Sequence, residues 1–510
     1  MKKNTKRSLT LTLSPRERAG GEGAVPSVRI RALNDAPFNT RGQFVLYWMT
    51  SFRRARSNFA LDRAIELAHS FEKPLVVLEP LRVGYPFASE RIHAFILQGM
   101  ADTARAFAKS PIHHYPYVET KAGDGKGLLE ALAAKACAVI GDDWPGFFVP
   151  KMQRAAAEKL GVRFEVVDSN GLYPLHHTTR VFTTAHSFRT HLQKVLPPHL
   201  HELPNAEPLE QLKDLATLSK LPSEVTKRWP RASDEALRAS PEFLASLPID
   251  HTVKPVAFIG GSTTARARLD HFVTNILGAY DEARSEPEQD GTSKLSPYLH
   301  FGHLSTHEVF ERLKPSPKWS PDDLGKSIGG AKAGWWKFPA ASEAFLDELV
   351  TWRELAFNMS SHRPTEFTSM SSLPSWALQT IKAHATDKRA HTYSLQQLAL
   401  GQTHDPLWNA AMGQLRTEGW FHNNVRMLWG KKIYEWSKSA SDALTAMDTL
   451  MSKYSLDGRD PVSWSGALWV LGRYDRPWGP ERPIFGKLRY MTSQNFARKV
   501  SVKQYVAKFA

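Results

Sequence analysis

Three indoles in one short stretch, Trp408, Trp429 and Trp436 of LWNAAMGQLRTEGWFHNNVRMLWGKKIYEW (407–436), have spacings that suit electron hopping. Trp429 and Trp436 are seven residues apart, two helical turns, so they share nearly one helix face. Trp408 must then approach from a neighbouring helix. A plain packing seam would show the same spacing, and the string alone leaves both readings open. In ELVTWREL (348–355), Glu348 and Trp352 are four apart, which pairs a carboxylate with a flat apolar surface on one face. A buried acid beside an indole calls for a polar ligand. GTSKLSPYLHFGHLS (291–305) sets the hydroxyls of Thr292, Ser293 and Ser296 and the cation of Lys294 ahead of an apolar helical stretch. Such a start binds phosphate through free N–H groups, although an ordinary capped helix also begins this way. Finally, LDGRDPVSWSGALWVLGRYDRPWGPERPIFGKLRYM (456–491) alternates Trp with Arg, and from Leu471 onward nine Lys and Arg stand against two acids. Cations around indoles suit a nucleic acid, with phosphates held by charge and a base stacked on an aromatic face.

The elements that must position these residues fall into two halves. From 43 to 175, β-rich apolar runs (FVLYWM, PLVVLEPL, AVIGDD, RFEVVD) alternate with helical patterns such as NFALDRAIELAHSF. That alternation predicts βαβ units and an α/β domain built on a doubly wound parallel sheet. Prolines crowd residues 176–255 and periodicity fades, which predicts a long interdomain linker. From 256 to 505 apolar residues recur at three- and four-residue spacing, which predicts an all-α domain. Residues 1–42 are expected to form a disordered leader; LTLTLSPRERAGGEGAVPS has no apolar core long enough for a secretory signal.

Bulk composition narrows the classes. With 42% hydrophobic and 23% charged residues among 510, and no apolar run of membrane-spanning length, the chain reads as globular. A net charge of +15 favours a polyanionic partner through counterion release. The single cysteine, Cys137, excludes an internal disulfide and an all-cysteine cluster, and fits a reducing cytoplasm. The expectation is a cytoplasmic monomer with no metal site.

TSKLSPYLHFG, ELVTWREL, THDPLWNAA, VRMLWGKKIYEW, LDGRDP, DRPW and ERPIFGKLRYM, in this order, resemble the helical domain of class II cyclobutane pyrimidine dimer photolyases. VLYWM, Asn58 in SNFALDRA, and VVDSNGLYP resemble that family's first domain, so the likeness spans residues 43–505. The resemblance implies an FAD whose phosphates lie at Thr292, Ser293, Lys294, Leu295 and Ser296, with Arg426 and Asp457 near the flavin ring. It implies that Trp408, Trp429 and Trp436 carry electrons to an oxidised flavin. Glu348, Trp352, Met427 and Trp469 would form a pocket for a flipped-out dimer in damaged DNA, Arg284 would enter the gap left in the duplex, and Trp478 would join the DNA face. An antenna chromophore of unspecified identity would belong in the α/β domain. Two departures stand out. Met451 occupies the position of an Asn that faces flavin N5, and a thioether cannot replace the amide's hydrogen bond. Ser285 replaces an Asn beside Arg284, and the segment between Trp469 and Trp478 is one residue short. Met451 motivates a second reading, a cryptochrome-like flavin photoreceptor without repair.

Overall fold

The computed structural model describes residues 24–212 and 214–510. Six strands form one sheet: β1 (Ile30–Ala32), β2 (Phe44–Trp48), β3 (Leu75–Leu81), β4 (His113–Val118), β5 (Ala136–Asp142) and β6 (Phe164–Val167). Their order is β1-β6-β5-β2-β3-β4, with every pair parallel except β1 with β6. The chain winds outward from β2 to β3 and β4, then recrosses to β5 and β6, the doubly wound arrangement. Both faces are covered, which is why these strands read as unbroken apolar runs. Val45, Tyr47 and Val77 pack under Leu61 and Ala64 of α1 (Phe59–Phe71), while Phe44, Leu46 and Val76 pack on the opposite face under Leu128 and Leu132. Helix α2 (Glu90–Phe107) instead sends Ile92, Phe95 and Leu97 into a core shared with the helical half.

Where the sheet reverses its winding, a buried polar knot shapes the β2–α1 connection. Asp142, at the end of β5, accepts from the N–H groups of Thr50, Ser51 and Phe52 (2.8, 2.7 and 2.9 Å) and from the Tyr47 hydroxyl (2.6 Å). Asn58 caps α1 by accepting from Ala60 N–H and donates to the Tyr47 hydroxyl (2.9 Å). Four hydrogen bonds satisfy one carboxylate, as a group removed from water requires.

Two expectations are corrected. Residues 30–32, expected within a disordered leader, form the antiparallel edge strand β1. It is short and mostly exposed, so it shows no apolar alternation; its anchor is the fully buried Arg29, which donates to the carbonyls of Gly171 (3.2 Å) and Leu172 (2.8 Å) and pairs with Asp168. The first 23 residues of that expected leader lie outside the described residues. The stretch 176–255 is not a bare connection either: it carries α3 (Ala185–Val195) and the short helices Ser223–Arg228, Asp234–Leu237 and Pro241–Ser246. Phe188 and Leu192 of α3 are core residues, and Arg189 pairs with Asp347 at 2.7 Å. Prolines sit at the starts of several of these pieces, where a missing N–H does no harm, so they break the periodic pattern without breaking the fold.

The helical half includes α4 (Ser262–His271), α5 (Ser296–His300) and α6 (Ala340–Leu346), which runs through a π-turn at Asp347–Trp352 into α7 (Arg353–His362). Further on come α8 (Pro406–Glu418), α9 (Asn423–Trp436), α10 (Ala440–Tyr454) and α11 (Pro461–Val470). The two halves are locked by α7. Arg353 donates to the Asn170 carbonyl (2.7 Å), and the buried Glu354 carboxylate accepts from the N–H groups of Leu172 (2.8 Å) and Tyr173 (3.0 Å). A Cβ on Gly171 would lie 2.5 Å from the Glu354 carboxyl carbon, so the approach requires glycine.

Candidate functional site

Two helices joined by a tight turn bring the three indoles together. Asp405 caps α8 by accepting from Trp408 N–H (3.2 Å), with Pro406 at the first helical position. Gly419 ends α8 in the left-handed conformation (φ 67°), and α9 starts three residues after Trp420. The Trp408 and Trp429 rings lie parallel, within 3° and with centroids 6.3 Å apart; Trp408 and Trp436 meet edge-on at 5.4 Å. Trp408 therefore stands between the other two, and its Nε1–H donates to the Trp429 carbonyl (3.0 Å). All three are buried.

The α8–α9 turn is also the meeting point of the proposed cofactor residues. Lys294 Nζ lies 5.6 Å above the Trp420 ring, Asn424 donates to the Ser285 carbonyl (3.1 Å), and Leu456 N–H donates to the Gly419 carbonyl (2.9 Å). Loop 292–295 is held from behind by Arg268, which donates to the carbonyls of Ser293 (2.9 Å) and Thr292 (3.3 Å). The N–H groups of Thr292, Ser293 and Lys294 form no hydrogen bond among the described residues. Lys294 is left-handed (φ 53°) and Leu295 right-handed, the kind of backbone turn that makes an anion-binding concavity. Because α5 has only five residues, these loop amides rather than a helix dipole are the groups that could hold a phosphate.

Among the described residues, two buried donors on α9, Arg426 Nε and Trp429 Nε1, have no protein partner. Buried donors left this way fit a polar cofactor, since each would otherwise lose its water for nothing. Burial holds His422 down at about 4, so its ring is neutral at physiological pH. Asp457 accepts from the Ser455 hydroxyl (2.5 Å), and among the described residues Arg426 forms no ion pair. The rest of LDGRDP is structural. Asp460 caps α11 and pairs with His300 (3.1 Å), and Gly458 admits no Cβ because one would lie 2.0 Å from the Met451 carbonyl oxygen. Met451 itself is buried beside Met447 and Leu450 in the core of α8–α11.

Glu348 on the π-turn is engaged by Arg284 at 2.7 Å, so two residues expected to serve the lesion and the DNA gap are partners here. Burial pushes the Glu348 carboxyl up and Arg284 pulls it partly back. Trp352 packs on the core shared with α2, and Trp469 on the core of α8–α11; the two rings make no contact with each other. Met427 lies against α11, 3.7 Å from where a Gly466 Cβ would be. Arg489 spans Trp469 and Trp478, 5.4 and 4.0 Å from their ring centroids, while Arg476 covers Trp478 at 4.2 Å. The basic C-terminal stretch is less free than its composition implies. Arg473 is buried against the Phe367 carbonyl, and Arg489 and Lys487 pair with Asp475 and Glu481, whereas Arg476 and Arg482 are exposed. A separate cavity of about 120 Å³ opens at the ends of β2 and β5, lined by Thr50, Ser51, Arg53, Trp144, Phe301 and Arg459. It occupies the switch point of the sheet, the usual ligand crevice of such folds.

Sequence reasoning passed over Trp420, His422, Asn424 and Ser455. The first three lay inside the string 407–436, where their signal was only a Gly–aromatic–His–Asn run at a helix–helix turn, and Ser455 stands one residue before LDGRDP.

Residues 345–433, which hold the π-turn and the stacked Trp408 and Trp429, match a family model described as the FAD binding domain of DNA photolyase. The site is thus that of an FAD-binding flavoprotein. The chain is 32% identical over 486 residues to the deoxyribodipyrimidine photo-lyase of Methanothermobacter thermautotrophicus, covering 94% of this chain and 97% of that one. It is also 32% identical to the enzyme of the same name from Oryza sativa subsp. japonica, over 91% of this chain and 87% of the other. The chain belongs to the photolyase family. A bacterial class III photolyase from Agrobacterium tumefaciens shares its fold, with a TM-score of 0.67 and 19% identity over 92% of this chain and 86% of that one. Among the described residues no helix is long and apolar enough to cross a membrane.

Proposed function

We propose that this protein repairs cyclobutane pyrimidine dimers in DNA by light-driven electron transfer, as a class II photolyase. The observation that carries the reading is that one helix pair, α8 and α9, holds a stack of three indoles along its length and, at its connecting turn, meets an amide-lined loop and an arginine whose buried Nε has no partner among the described residues. An acid and a basic aromatic face are also present. When bound, reduced FAD excited by light supplies an electron to the dimer and recovers it once the two cyclobutane bonds have opened.

The chain's own residues divide the remaining work. Loop 292–296 holds phosphates through its amides and Lys294. Arg426 offers a fixed positive charge near the ring, and Asp457 sits beside it. Trp352 and Trp469, with Met427, wall a slot for a flipped-out dimer. Trp478, Arg476 and Arg482 meet the duplex, and extrusion costs least at a damaged, poorly stacked step. Glu348 is half-buried with its pKa already raised, and Arg284 is the group that opposes that rise. If Arg284 moves into the duplex gap, Glu348 loses its counter-cation, becomes protonated more readily and donates a hydrogen bond to the dimer carbonyl. One bond then acts as a latch: lesion docking releases Arg284 to the DNA and converts Glu348 from acceptor to donor. Trp429, Trp408 and Trp436 pass electrons inward to an oxidised cofactor. The cavity at the sheet's switch point would receive an antenna chromophore.

Met451 keeps a second reading in play, a flavin photoreceptor without repair. The deciding experiment is to illuminate the purified protein with thymine-dimer DNA under reducing conditions and count the dimers left. Light-dependent loss of dimers supports repair; an unchanged count with intact flavin absorbance supports the photoreceptor.

A further inference from the structure

We propose that Tyr393 and His404 form the solvent end of the indole chain: Tyr393 gives an electron to oxidised Trp436 while its phenolic proton passes to His404. The inference rests on the electron-chain reading above and extends it by one residue. Trp436 is only 3% exposed, so an electron vacancy reaching it is shut off from reductants in solution. Tyr393, half-buried, and His404, exposed, lie between that indole and water. The Tyr393 ring meets Trp436 edge-on at 5.2 Å, closer than the 5.4 Å that separates Trp408 from Trp436. The Tyr393 hydroxyl and His404 Nδ1 are 2.6 Å apart, and His404 N–H donates to the same phenol oxygen at 3.1 Å.

A phenol is hard to oxidise unless its proton leaves with the electron, and a hydrogen-bonded neutral imidazole is a suitable acceptor. Every charged group facing His404 bears on that state. His391 stacks on it at 3.8 Å, and Asp405, Lys432 and Glu435 surround it. Desolvation, helped by His391 and Lys432, holds its pKa below the ordinary histidine value, so it is a free base at neutral pH. Lys432 Nζ lies 5.5 Å from the Trp436 ring centroid but is paired with Glu435 (2.9 Å) and Asp405 (3.7 Å), so its charge is balanced there and the proton transfer to His404, not Lys432, favours the outward step.

The step balances. The oxidant would be the photoexcited oxidised flavin that the site would hold; loss of one electron through the indoles leaves Trp436 a radical cation. Tyr393 returns one electron to Trp436 and its proton moves to His404, which yields a neutral tyrosyl radical and an imidazolium. A thiol from solution then gives Tyr393 a hydrogen atom, and His404 releases its proton to water. A loop staple made by the same hydrogen bonds would produce no radical.

The test is electron paramagnetic resonance of the full-length flavoprotein, oxidised, illuminated and frozen, with and without ring-deuterated tyrosine. The expected signal narrows on deuteration, disappears in Tyr393→Phe with a tryptophan radical in its place, and forms more slowly in D2O and in His404→Phe. A tyrosyl signal unchanged in Tyr393→Phe overturns the relay and leaves the indole chain standing. So does a tryptophan radical as the sole product in the unsubstituted protein. Absence of any amino-acid radical while flavin absorbance bleaches overturns both.

Discussion

Replacing Glu354 by Gln should reverse its effect on stability between acid and alkaline pH. The carboxyl is 4% exposed at the seam between the halves and accepts from the N–H groups of Leu172 and Tyr173. Burial lifts its pKa from the ordinary 4.5 to about 7, against the pull of Arg353 and the two amides. A carboxyl whose folded pKa is raised contributes stability that is fully present below the unfolded pKa and is lost as pH rises through the folded one. The window is therefore 4.5 to about 7, and a shift of this size corresponds to roughly 3 kcal/mol. Gln keeps the shape but never ionises. At pH 5 it replaces a neutral acid whose hydroxyl oxygen still has a lone pair to accept with, whereas the amide NH2 has none, and one backbone N–H left facing it costs about 1 kcal/mol. At pH 8.5 the unsubstituted protein carries the full ionisation penalty, and Gln should be the more stable by about 2 kcal/mol. Urea unfolding at both pH values, followed by tryptophan fluorescence, reads the difference, and other titrating groups such as Asp62 cancel in the comparison. Equal destabilisation at both pH values would mean that Glu354 is ionised throughout and that the two amides, not burial, govern it.

Trp429→Phe should slow photoreduction of oxidised flavin severely yet leave repair intact once the cofactor is reduced chemically; failure of repair despite bound flavin and lesion would move Trp429 into the pocket. Binding to lesion DNA should weaken steeply with salt, and replacing Arg476 and Arg482 with Gln should flatten the log–log slope by roughly 2. An unchanged slope would put the DNA face elsewhere. Met451→Asn should restore one hydrogen bond of about 1 kcal/mol, so the reduced cofactor should survive in air roughly fivefold longer. Identical reoxidation spectra in the two proteins would mean that Met451 does not face N5.

The features legible in the sequence were those with a period or a string. Phe44–Trp48 and Ala136–Asp142 are continuous apolar runs because both of their faces are covered, and the seven-residue spacing of Trp429 and Trp436 does share one helix face with Trp408 opposite. What escaped depends on contacts distant in sequence. β1 is held by Arg29 reaching Leu172, 143 residues on, and no local pattern announces that bond. The partnership of Arg284 with Glu348 joins residues 64 apart. Tyr393 and His404 lie close in sequence, but a Tyr–His pair in a polar stretch carries no pattern until Trp436 is seen behind it. The helices within 176–255 escaped because their prolines were read as breaks when several stand at helix starts.

The π-turn at Asp347–Trp352 makes one helix answer to two clients. Within it, Glu348 pairs with Arg284 and Trp352 packs on the core shared with α2; immediately beyond it, Arg353 and Glu354 bond to the α/β half. A π-turn amounts to one residue inserted in an α-helix, and such insertions gather at working sites. Deleting a residue near Val350 would let the helix relax to uniform α geometry and rotate one segment against the other by roughly 100°. Either the seam or the Arg284–Glu348 pair would keep its register, not both. Shortening by a single residue here should thus be far more damaging than most substitutions, because one insertion sets the register of the Arg284–Glu348 pair and of the domain seam at once.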